Sequence, residues 1–187
     1  MIFVDSNVFV IALRYPRDRN ARANAAFLAH VRERGDAVTS VVNLLEVCGI
    51  VSFNLNERQL RALYRHFGRR FGVRVVPDER EERAVVPAAP AELLALMSSK
   101  MSLGDAIVAV ALLRWAPAAD TFVSWDARHF AGKLATRVVT PAQFLESARV
   151  VRLKLRLRGP HSSAGWRGPG RWNADPARKG SRVQGPD

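Results

Sequence analysis

Residues 1–7, Met-Ile-Phe-Val-Asp-Ser-Asn, run an apolar stretch straight into a carboxylate, with two short polar residues behind it. Met1–Val4 reads as a buried strand that ends at Asp5, and Ser6 and Asn7 can bend the chain or cap the next segment. Outward from there, strand and helix signals alternate. Ala23, Phe27 and Val31 recur at helical spacing over 20–34 before Gly35 stops the run. Ala37–Ser40 reads as a second strand, and Val41–Phe53 as a largely buried helix. Over 57–71, Leu60, Leu63, Tyr64, Phe67 and Phe71 mark one helix face, and Arg58, Arg61, Arg65 and Arg69 mark another. Val73–Val76 is a third strand ended by Pro77, and the polar, proline-broken stretch after it leads to a helix over 91–98. Ser102-Leu-Gly-Asp105 matches a capping box ahead of an apolar helix over 103–115. Thr121–Trp125 and Arg137–Thr140 are further short strands. Thr140-Pro-Ala-Gln143 is a second capping box, with proline at the first helical position of a helix running to about Arg149. Such alternation predicts an α/β fold on a parallel sheet.

The chain has 187 residues, 48% of them apolar, enough for a real hydrophobic core. No stretch of about 18 residues is free of charge, which argues against a membrane span. The start lacks the basic segment and small-residue cleavage site of a secretory signal. Cys48, the only cysteine, excludes an internal disulfide and a cysteine-rich zinc site. A cytoplasmic protein is expected. The net charge of +12 is uneven: residues 1–148 carry +4, and residues 149–187 carry +8 together with 6 of the 12 glycines. The chain thus divides into a globular domain over 1–148 and a basic Gly/Pro/Arg-rich extension over 149–187.

Four acids sit where apolar runs stop or break: Asp5, Glu46 in VVNLLEVCGI, Asp105 in MSLGDAIVAVALL, and Asp126 in TFVSWDARHF. Each has a plain structural reading. Asp5 can cap after a strand, Asp105 completes a capping box, and Asp126 can cap the turn over Ala127–Phe130. Glu46 fits such a role least, because Leu44, Leu45, Val47 and Cys48 leave little solvated face and a buried carboxylate needs a partner. In a parallel α/β sheet, ligands bind outside the carboxyl ends of the strands, which is where Asp5 and Asp126 fall. Carboxylates crowded there repel one another, and a hard divalent cation relieves that repulsion. A basic surround suits work on phosphate backbones.

The motifs VDSNVFV, NLLEVCGI, SLGDAIVAVAL and FVSWDARHF, in that order, resemble the PIN-domain nucleases, especially the VapC-type toxins of bacterial toxin–antitoxin pairs. The resemblance covers about residues 1–147. It implies a PIN-like parallel sheet flanked by helices and a Mg²⁺ or Mn²⁺ site made by Asp5, Glu46, Asp105 and Asp126. Asn7 and Ser124 match positions where the family places small polar residues near the site. The implied activity is endoribonucleolytic hydrolysis of RNA, leaving 5′-phosphate and 3′-hydroxyl ends. The implied partners are a cognate antitoxin and a second copy of the chain. This sequence departs from the family after Asp126, where Ala127, Arg128 and His129 stand in place of a further acid.

Other features are weighed against this reading. His129 is close enough in sequence to Asp126 to protonate a leaving group, although a lone histidine is usually structural. The arginine face over 58–69 reads first as a solvated helix face, and second as a guide for RNA. Val151–Arg158 alternates apolar and basic residues at strand period. Residues 159–187, with Trp166 and Trp172 among arginines, are expected to be disordered, with RNA binding as the rival role. Two competing functions remain: a non-enzymatic RNA-binding module with a degenerate site, and a phosphatase of the haloacid-dehalogenase type. The latter wants an acid where Asn7 stands and a late acid pair where Asp105 is followed by Ala109.

Overall fold

The computed structural model describes residues 1–78 and 88–157. Five parallel strands, β1 (Ile2–Val4), β2 (Ala37–Ser40), β3 (Val73–Val76), β4 (Thr121–Val123) and β5 (Arg137–Val139), form one sheet in the order β3-β2-β1-β4-β5. The helices are α1 (Ser6–Arg14), α2 (Ala21–Arg34), α3 (Val41–Ser52), α4 (Glu57–Phe71), α5 (Pro90–Ser98), α6 (Leu103–Trp115), α7 (Ala127–Phe130) and α8 (Pro141–Leu157). This is the parallel, helix-flanked sheet expected of a PIN-like fold.

The three inner strands β2, β1 and β4 are buried along their whole length because both sheet faces are covered, while the edge strands β3 and β5 expose Arg74 and Arg137. Side chains alternate between faces along each strand. Ile2, Val4, Ala37 and Val123 join a core with Val8 and Phe9 of α1, Phe27 of α2, Val47 of α3 and Phe67 of α4. Phe3, Val38 and Phe122 join a second core with Ala106, Ala109 and Leu112 of α6 and Phe130 of α7. The sheet is thus the middle of three layers. β1 lies at its centre with β2 and β4 on either side, so the chain proceeds one way from β1 to β3 and returns the other way to β4 and β5. Where neighbouring strands connect in opposite directions, their carboxyl ends leave a crevice.

The structure revises two sequence expectations. The helix Ser6–Arg14 has no counterpart in the sequence reading; Asp5 caps it by accepting from the Ser6 amide at 2.8 Å. The strand expected over Val151–Arg158 is helix over its described residues 151–157, where α8 continues through Leu157. Its leucines, arginines and lysine are good helix formers, and extending a helix adds a hydrogen bond per residue with no new nucleation. The expectations for the proline-broken stretch over 79–87 and for the tail over 159–187 lie outside the described residues. Among the described residues no single helix is long and apolar enough to cross a membrane; α5 and α6 reach that length only as a pair bent by 116°.

Candidate active site at the carboxyl ends of the strands

The sheet brings the ends of β1 and β4 together: the Asp5 amide donates to the Val123 carbonyl, so Asp5 and Ser124 leave the sheet side by side. Asp5 is buried, and its carboxylate is surrounded by donors. Oδ1 accepts from the Ser6 amide (2.8 Å), from Ser6 Oγ (3.3 Å) and from Asn43 Nδ2 (3.0 Å). Oδ2 accepts from Ser124 Oγ at 2.7 Å. Burial pushes the Asp5 carboxyl up from its ordinary 3.8 to about 6; the nearby Glu46 charge adds to the rise, and the hydrogen bonds from Ser124 and Ser6 oppose it.

Glu46 reaches this carboxylate through a serine. Ser6 Oγ lies 2.6 Å from Glu46 Oε2 and 3.3 Å from Asp5 Oδ1. Glu46 itself is not buried, contrary to the expectation from its apolar neighbours. Leu44, Val47 and Cys48 are buried, but Glu46 and Leu45 lie on the exposed side of α3. Helical period decides this: a run apolar on every side in sequence still turns one stripe outward unless a second layer covers it.

Asp126 is exposed, and its carboxylate does not cap α7. It accepts instead from Asn7 Nδ2 at 3.2 Å. Asn7 pins the turn after β4, donating also to Ser124 Oγ (2.9 Å) and accepting from the Trp125 amide (3.1 Å). Ser124 Oγ takes in the Asp126 amide at 3.0 Å as well, so it connects Asp5, Asn7 and the Asp126 backbone. Asn7 and Ser124 therefore order the chain around Asp5 and Asp126. Asp105 is placed by the Ser102 cap of α6, whose hydroxyl accepts from the Asp105 amide at 3.2 Å. Its carboxylate lies 3.6 Å from His129 Nδ1. Among the described residues, no hydrogen bond or ion pair links Asp105 to the other three acids.

Two contributors escape a reading of the sequence. Ser6 reads there as a bend or cap, but its hydroxyl couples the two acids. Asn43 is fully buried in α3, oriented by Ser40 Oγ at 2.5 Å and donating to Asp5. A lone amide inside the apolar run VVNLLEV is the available signal, since a buried polar group needs partners.

Chemically, the cluster around Asp5 offers carboxylate and other oxygen donors without thiolate or imidazole, which suits a hard cation. Among the described residues, no three histidine, cysteine or acidic side chains are placed to share one ion. Mg²⁺ commonly keeps several waters and is held by one or two carboxylates, and Asp5 with Glu46, joined through Ser6, is the pair that could hold it.

No protein-family model matches this chain, and no curated protein matches it in sequence. Solved structures do match in fold. One is FitAB bound to an IR36 DNA fragment, with 20% identity and a TM-score of 0.50 over 76% of this chain and 96% of that one. Another is VapBC2 from Rickettsia felis bound to a DNA fragment from their promoter, with 17% identity and a TM-score of 0.50 over 75% of this chain and 98% of that one. At these identities, the chain shares with them a parallel α/β fold.

Proposed function

We propose that the chain is a divalent-metal-dependent endoribonuclease and the toxin of a toxin–antitoxin pair. The observation that carries this reading is the buried Asp5 carboxylate at the carboxyl ends of β1 and β4, coupled through Ser6 to Glu46 and held by Ser124 and Asn43. The Glu46 charge adds to the cost of ionising the buried Asp5, and a cation would offset it. Asp5 and Glu46 would hold Mg²⁺ or Mn²⁺, with Asp105 and Asp126 as the further acids of the set. The ion supplies Lewis-acid stabilisation for charge developing on a phosphodiester. The chain's own residues fix the acids: Ser124 and Asn43 orient Asp5, and Asn7 holds the Asp126 turn. The likeness to FitAB and VapBC2 complexes supports a protein partner, here a cognate antitoxin, and we include a homodimeric, cytoplasmic state in the reading.

Mn²⁺ titration by calorimetry tests this without knowledge of the RNA target. Wild type is expected to bind, Asp5→Asn and Glu46→Gln to lose binding while folded, and Asp105→Asn to bind more weakly. A folded wild type that takes up no Mn²⁺ refutes the proposal. That result would favour the non-enzymatic RNA-binding module, which is also the reading suited to the lack of a three-acid cluster among the described residues. The phosphatase alternative has no such support: Asn7 spends its amide on Ser124 and Asp126, and Ala109 is buried in the core.

A further inference from the structure

Helix α4 carries Arg58, Arg61, Arg65, Arg69 and Arg70, all exposed, against one acid, Glu57. Arg58, Arg61, Arg65 and Arg69 lie in one narrow stripe, away from the face that Leu63, Phe67 and Phe71 bury. Among the described residues, only Arg61 of these has a carboxylate partner, Glu57 at 2.6 Å. Arg61, Arg65 and Arg69 succeed one another at four-residue steps, a like-charge spacing that works against the helix. Each step rises about 6 Å, a regular ladder of cations that a regular polyanion can track.

Beside the stripe opens a groove of about 810 Å³ between α1, α3 and α4, lined in part by Leu13, Tyr15, Leu55, Ala62, His66 and Arg70. It has the size of a small-molecule site. Arg14, about 12 Å along α1 from Ser6, donates to the Ile50 carbonyl and Asn54 Oδ1 and so ties its floor together. Two aromatic side chains are exposed near it: Tyr15, which lines the groove, at 47%, and Phe53, directly before the lining residue Asn54 in the turn between α3 and α4, at 87%. Exposed aromatics next to arginines are the means by which proteins hold single strands, with bases stacked and phosphates paired.

We propose that the arginine stripe of α4, with Tyr15 of the neighbouring groove and Phe53 of the turn that leads into α4, is a binding surface for single-stranded RNA. Its role in delivering substrate rests on the nuclease reading above; the binding itself does not. The evenly spaced charges and open rings favour a nucleic acid over an acidic protein segment.

The test is fluorescence anisotropy with a labelled, unstructured single-stranded RNA, on the full chain, in EDTA, across a KCl series. Arg58→Gln/Arg65→Gln/Arg69→Gln is compared with a charge-matched control on the opposite face of the sheet, Lys100→Gln/Arg114→Gln/Lys133→Gln. The stripe variant is expected to lose about tenfold or more in affinity, with its log–log salt slope shallower by about 2, while the control stays near wild type. Phe53→Ala is expected to lose about tenfold with the slope unchanged, because stacking releases no counterions. Equal losses in the stripe and control variants would assign binding to net charge and overturn the proposal. So would unchanged RNA affinity in a stripe variant that no longer binds a glutamate-rich peptide, which would make the surface a protein-docking site. Asp5→Asn should bind RNA in EDTA as wild type does, so a failed metal site and a failed RNA surface are separately visible.

Discussion

Asp5 is held in a state that favours its protonated form. With burial lifting its pKa from 3.8 to about 6, the folded chain binds more protons than the unfolded one between about pH 4 and pH 6. Asp5 therefore contributes most to stability below about pH 4, and that contribution is lost as the pH rises through about 6. The full swing is on the order of 3 kcal/mol. In metal-free protein, urea midpoints are expected to fall over this window in wild type and to be flatter in Asp5→Asn. Parallel curves for the two proteins would mean that Asp5 does not titrate as its burial demands. The acid at position 5 is legible from sequence because strand end, carboxylate and short polar residues are contiguous there. Ser6 and Asn43 are less legible, because their partners lie 40 and 38 residues away along the chain.

At the scale of elements, two glycines distinguish geometry from propensity. Gly72 ends α4 at a φ of +69°, and a Cβ there would lie 2.8 Å from Arg32 Cα on α2. Gly49 sits on the exposed side of α3 with open space where a Cβ would go. Gly72→Ala is expected to cost at least about 2 kcal/mol, from left-handed strain and the collision with α2. Gly49→Ala should instead stabilise by about 0.5–1 kcal/mol. Chemical denaturation measures both, and a neutral Gly72→Ala would contradict the packing of α4 on α2. Most helix limits are readable from local signals. Asn56 with Gln59 and Thr140 with Gln143 form reciprocal caps, and Gly35 and Gly72 close their helices in left-handed conformation. The Ser102 box forms only its hydroxyl half, leaving the Asp105 carboxylate beside His129. The strand expected over Val151–Arg158 fails because alternation specifies a strand only when a neighbouring edge takes up its hydrogen bonds.

For the whole molecule, among the described residues the five strands and both apolar cores draw on residues 1–145, and α8 packs on α2 through Phe144 on Phe27. Deleting residues 158–187 should leave the thermal midpoint within a few degrees of the full chain. It should also flatten the salt dependence of RNA binding, because six Lys and Arg leave with only two acids. A large drop in the midpoint would show that the tail packs on the domain.

By itself the sequence determined the alternation of strands and helices, the four acids and the charge asymmetry. These are local properties, set by period, capping chemistry and residue type. Only the tertiary structure decided that β1 stands between β2 and β4, which turns Asp5 and Ser124 into neighbours 119 residues apart. It also decided that Glu46 faces outward and meets Asp5 through Ser6, and that Asp105 faces His129. The physical reason is that strand order and helix rotation are settled by which apolar faces bury against which. A polar side chain's partner is then set by that packing rather than by its neighbours in the chain.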